Sequence, residues 1–211
     1  GRLSYNKGSY VLHMLRWKLG DTSFFRGIRS YLNDPKLSYG FALTDDLIRN
    51  MEYASGKDLR PFFRDWVYGQ GYPSYKATCI QNANNWVKIR LAQTTSHNSV
   101  PFFAMPVELR LKGKSGEMRT TLEHETNNQE FWINPGFAVD SVFIDPDLWI
   151  LTNNKSATVS RSDAGINDLV RPVSLLCQRI RVRNRVLRRL LLVDRIMRGE
   201  GVYHLPALWL S

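Results

Sequence analysis

Cysteine is almost missing. Cys79 and Cys177 are the only two in 211 residues, too few and too far apart for a disulfide scaffold or a paired-cysteine metal knuckle. Both are expected to be plain buried thiols, which leaves the redox compartment open. Histidine is also scarce, with four in the chain, and no His-Glu-x-x-His pattern occurs. No stretch reaches the unbroken apolar length of a membrane span, and the first residues lack the charged-then-apolar pattern of a secretory leader. An initiator Met is absent too, and a start at Gly1 suggests a piece of a longer protein.

General basicity is another absence, despite a formal net charge of +10. Residues 1–150 hold 18 Lys and Arg against 15 Asp and Glu, whereas residues 151–211 hold 11 against 4. The excess therefore belongs mainly to the tail, and a nucleic-acid role for the whole chain does not follow from it. What is present is folding material: 43% of residues are hydrophobic, enough for one large domain or two small ones.

The first third reads as helical. Val11, Leu12, Leu15 and Leu19 recur at three- and four-residue steps, and Gly20-Asp21 supplies a stop. A second helix is expected over residues 22–33, with Phe24, Phe25, Ile28, Tyr31 and Leu32 on its apolar side and Pro35 barring its continuation. Thr44 is the expected N-cap of a third, with Asp45 and Asp46 at the positive end of the dipole and Leu47, Ile48 and Met51 facing inward. Residues 58–68 predict a fourth, striped with Leu59, Phe62, Phe63, Trp66 and Val67, a pattern that belongs to a core rather than a binding groove.

At GQGYPSY, residues 69–75, two glycines and a proline interrupt the pattern, and the period changes from helical to alternating. Tyr75, Ala77 and Cys79, then Val87, Ile89 and Leu91, then Met105, Val107, Leu109 and Leu111 alternate with polar residues. Turn clusters at residues 82–85, 96–99, 113–116, 127–128 and 134–136 separate them. About seven short strands at this spacing predict an antiparallel β-sandwich that closes near residues 145–150. Three regions follow: helical over 1–73, β-sandwich over 74–152, and an atypical basic tail over 153–211. Residues 153–167 read as polar and turn-like.

The helical region resembles the end of the catalytic domain in zinc aminopeptidases of the alanyl aminopeptidase and leukotriene hydrolase family. The resemblance rests on Tyr5-Asn6-Lys7-Gly8 at a helix start, a leucine-rich helix ending in Gly20-Asp21, an acidic-led helix at Thr44, Ser55-Gly56-Lys57-Asp58-Leu59, Phe62-Phe63-x-x-Trp66 and Gly71-Tyr72-Pro73. It implies multidomain α and β architecture: the helical end of a thermolysin-like catalytic domain, then the small sandwich. In the family the corresponding tyrosine points at the zinc site and donates to the oxyanion of the tetrahedral intermediate, a role that would fall to Tyr5. Phenols titrate near about 10 and remain donors at neutral pH. Lys7 is assigned no chemistry, and Gly8 is expected to make room for a closely packed neighbour.

The family's zinc is held by two histidines of a His-Glu-x-x-His helix and a following glutamate, and this sequence has no such helix. The nearest string, HETNN over residues 124–128, places Asn128 at the second ligand position in a strand-and-turn context; it is not expected to bind metal. His13 and His97 read as structural or solvent-facing, and His204 lies in the tail. The resemblance thus implies a fragment of an aminopeptidase that removes N-terminal residues from peptides. Tyr5 would be its catalytic residue, zinc a cofactor of the intact parent and not of this chain, and the upstream catalytic and N-terminal domains its partners. Alone, the chain is expected to be inactive. The alternative is a non-catalytic interaction module using the sandwich surface or the tail. The tail itself admits two readings, a basic amphipathic helix for weak binding to anionic surfaces or translation out of frame after residue 153.

Overall fold

The computed structural model describes residues 5–162. The basic amphipathic segment, Cys177 and His204 lie outside the described residues. Four α-helices come first: α1 (Lys7–Leu19), α2 (Asp21–Leu32), α3 (Thr44–Ser55) and α4 (Arg60–Phe63). Seven strands follow: β1 (Pro73–Gln81), β2 (Val87–Thr95), β3 (Met105–Gly113), β4 (Gly116–His124), β5 (Gln129–Ile133), β6 (Ser141–Ile144) and β7 (Lys155–Arg161).

The helices bury the stripes that their periodicity marks, with local departures. α1 buries Val11, Met14, Leu15 and Leu19. On α2 only Phe24 and Gly27 are buried, while Phe25 and Leu32 are exposed, so the expected apolar side is narrower than the sequence suggests. Gly27 is buried because α3 crosses it: a Cβ there would run into the Met51 sulfur. Thr44 is the first helical residue of α3 and not its N-cap. The cap works through Asp46, whose Oδ2 accepts from the Leu43 N–H at 2.9 Å, the back-reaching half of a capping box. The fourth helix starts at Arg60, with Pro61 in its first turn where a missing N–H costs nothing. It then widens into a π-turn over Arg64–Tyr68, closed by the Gly69 N–H on the Arg64 carbonyl at 2.7 Å.

The strands form a four-stranded sheet in the order β5-β2-β1-β7 and a three-stranded sheet in the order β4-β3-β6. Alternation sets the faces: Tyr75, Ala77 and Cys79 of β1, Ile89 and Leu91 of β2, and Leu109 and Leu111 of β3 enter one core that also takes in Met14, Leu15, Phe63 and Trp66 from the helices. Inward burial pushes the Cys79 thiol up to about 11, so it stays protonated.

Two expectations fail in the sheet region. The strands do not end near residues 145–150, which form a turn after β6, and the stretch read as turn-like beyond residue 153 holds β7. That strand pairs parallel with β1, Tyr75 opposite Lys155 through Gln81 opposite Arg161, so the sheet is not purely antiparallel. Its outward positions Ser156, Thr158 and Ser160 are polar and its inward positions only half-buried, which is why periodicity hides it.

Candidate functional site

Tyr5 stands two residues before α1, 79% exposed, its side chain making no hydrogen bond, ion pair or ring contact to any described residue. The first turn behind it is pinned locally, with Ser9 Oγ donating to the Asn6 carbonyl at 3.0 Å. Lys7 has a structural partner: its Nζ donates to the Gly69 carbonyl at 3.4 Å, tying the start of α1 to the end of the π-turn. Gly8 does not pack closely against any described residue. A Cβ there would meet no described atom within 4 Å, because α1 buries its apolar residues from Val11 onward.

Those later turns carry an aromatic clamp. Tyr10, His13 and Trp17 share one face of α1, at spacings of three and four residues. The Trp149 indole stacks on His13 at 4.6 Å and 11° and on Trp17 at 4.9 Å and 16°. Tyr10 Oη donates to the Leu148 carbonyl at 2.8 Å, Trp17 Nε1 donates to the Pro106 carbonyl at 2.8 Å, and the Leu151 N–H reaches Met14 Sδ at 3.4 Å. Burial, and then the Asp145 charge, raise the Tyr10 pKa and keep it a donor.

The turn that presents Trp149 is itself braced. Its backbone enters the left-handed region at Asp145 (φ 45°) and Leu148 (φ 60°), conformations that need local compensation. Asp145 provides it: Oδ1 accepts from the Trp149 N–H at 2.7 Å and Oδ2 from the Ile150 N–H at 3.2 Å. Lys155 Nζ holds the Asp145 carbonyl at 2.8 Å and Oδ2 at 3.4 Å. The chain from β7 through Lys155, Asp145 and Trp149 to α1 thus fixes the helix that displays Tyr5. Sequence reasoning did not identify this clamp, although the stripe of Tyr10, His13 and Trp17 was its visible half.

The histidines are kept apart. His13 is in the clamp; His97 Nδ1 accepts from the Ser99 N–H at 3.1 Å in a loop. His124 ends β4, 1% exposed, with Nε2 at 3.1 Å from the Leu91 carbonyl, and burial pushes its pKa down to about 4. Asn128 sits at φ 59° in the following turn, so HETNN has no helical face to present. Among the described residues no three His, Cys, Asp or Glu side chains come together to hold a metal.

Residues 1–66 match the peptidase family M1 domain. Similar curated proteins include mitochondrial aminopeptidase 2 of Saccharomyces cerevisiae, 34% identical over 118 residues, covering 54% of this chain and 12% of the yeast protein. Probable aminopeptidase 2 of Sulfurisphaera tokodaii is 30% identical over 146 residues, 69% of this chain and 16% of the archaeal protein. Aminopeptidase N of Lactococcus lactis is 37% identical over 78 residues, 37% of this chain and 9% of the bacterial protein. The matched stretches thus span between 9% and 16% of these relatives' lengths.

Proposed function

Because the chain belongs to peptidase family M1, the zinc aminopeptidases, we propose that it supplies the oxyanion-stabilising part of an enzyme that removes N-terminal residues from peptides. Tyr5 is the residue that carries the role. Its phenol donates a hydrogen bond to the negative oxygen that develops on the scissile carbonyl as the tetrahedral intermediate forms, an interaction stronger in the transition state than in the substrate. The supporting observation is the placement of Tyr5: an exposed phenol, unpartnered among the described residues, at the head of a helix braced at Tyr10, His13 and Trp17. A tyrosine that merely packed at the helix entry would be covered.

In this reading residues 1–73 are the helical end of a thermolysin-like catalytic domain and the two sheets are the small sandwich that follows it. Metal ligands and the general base come from residues outside this sequence, and the chain alone is inactive. The exposed side of the helix start, at Tyr5 and Gly8, is where the upstream catalytic domain completes the site. A simple experiment tests this division. The purified chain, incubated with zinc and an alanyl or leucyl fluorogenic amide, should release no fluorophore and retain no stoichiometric zinc on dialysis. Chelator-sensitive turnover by the chain alone would overturn it.

A second reading, a non-catalytic interaction module, draws support from a different surface. Tyr39 and Phe41 are fully exposed, and Leu43 and Tyr53 are 72% and 88% exposed, more apolar display than solvent favours. The same zinc and turnover measurements on the longer gene product separate the readings, since a module would show neither.

A further inference from the structure

The cleft between β6 and β7 holds a cation without a partner among the described residues. These strands are the edges of the two sheets, and between them lies a cavity of about 310 Å³ lined by Arg110, Phe143, Asp145, Lys155 and Ser156 among others. Its charges do not cancel. The carboxylate of Asp145 is fully buried and spent on the Trp149 and Ile150 N–H groups and on Lys155. Arg119, opposite Arg110 in the strand pair, takes the acids nearby, Glu108 at 3.3 Å and Asp147 at 2.6 Å. The Arg110 side chain has no ion pair or hydrogen bond to any described residue, and its Nε is buried with no acceptor among them.

A covered guanidinium N–H left unmade is costly, yet the side chain is held in place: its Cζ lies 4.7 Å from the centre of the Phe143 ring. The contact with the ring steadies the guanidinium, and its two Nη groups offer the paired N–H donors that match a carboxylate bidentately. We propose that this cleft binds one carboxylate on the Arg110 guanidinium, with Lys155 at its wall. The single uncompensated positive charge suits a monoanion. A phosphate dianion would set surplus negative charge beside buried Asp145. The carboxylate has two sources, a free small acid or an Asp or Glu side chain of a peptide segment.

The test follows the Arg110 Nε–H resonance in the full chain by NMR while sodium acetate replaces sodium chloride at constant ionic strength. A saturable shift with acetate and none with chloride is expected, lost in Arg110→Gln and weakened at least tenfold in Arg110→Lys, which keeps the charge but not the paired N–H donors. The Ser156 and Ala157 amides supply the readout in those variants, and Arg110→Lys stands in if the glutamine variant does not fold. Tenfold tighter binding of a short peptide with one Asp than of acetate would identify a peptide side chain as the source; equal binding would identify a free acid. Equal shifts with acetate and chloride, undiminished binding in Arg110→Lys, or tighter binding of inorganic phosphate than of acetate would each overturn the proposal.

Discussion

Replacing Trp149 with alanine should loosen α1 from the sheets. The indole is half-buried and stacks on two rings of α1, His13 at 4.6 Å and Trp17 at 4.9 Å. Each stacked pair contributes about 0.5–1.5 kcal/mol beyond area burial, and covering part of a large aromatic side chain adds about 2 kcal/mol. Together the loss is about 4 kcal/mol, within the usual range for truncating a packed aromatic. Urea unfolding reads the total. Hydrogen exchange reads the location, because the amides of α1 should lose protection beyond what the global change requires. Trp149→Phe, which keeps a ring but less area, should lose about half as much. A loss under about 1 kcal/mol for Trp149→Ala, or α1 amides that keep their protection relative to the sheets, would refute the clamp.

Other expectations are smaller in scope. His124 binds a proton only below about 4 when folded, whereas an unfolded imidazole does so below about 6.5. Unfolding therefore takes up a proton between those values, and stability should fall as pH drops from about 6.5 to about 4, by up to about 3 kcal/mol. Unfolding curves across that window check it, with His124→Gln as the variant that flattens the slope. Two glycine substitutions should have opposite signs: Gly8→Ala, with open space around it, should stabilise α1 by about 0.5–1 kcal/mol. Gly27→Val, aimed at Met51 on α3, should cost about 2 kcal/mol by overpacking; thermal unfolding distinguishes them. Lys155→Met strands the fully buried Asp145 carboxylate and should cost about 3 kcal/mol, and an unchanged denaturation midpoint would show that the backbone N–H groups suffice.

Much of this architecture was legible in residue spacing because burial on one face leaves a periodic trace. The Ile48 and Met51 face of α3 and the alternation of β1, β2 and β3 all reach the core. What escaped the sequence was decided by tertiary partners. β7 has small and polar residues and becomes a strand because β1 offers it an edge. The π-turn at Arg64–Tyr68 accommodates Trp66 in the core without changing the aromatic stripe that suggested an ordinary helix. Gly8 gave no sign of which side, if either, was crowded. Tyr5 stood out through a motif series and not through its own chemistry, and the clamp that steadies it joins residues more than a hundred positions apart. His13 and Trp149 have no local signature of meeting.

The most direct test of the account concerns Tyr5 in the longer enzyme. Steady-state kinetics of Tyr5→Phe against an aminoacyl amide should show kcat reduced by about 10²–10³ with KM little changed, because the lost hydrogen bond belongs to the transition state. Unfolding should be unaltered, since the phenol touches no described residue. A variant that kept full kcat, or lost activity only through a raised KM or a lower stability, would contradict the role assigned to Tyr5.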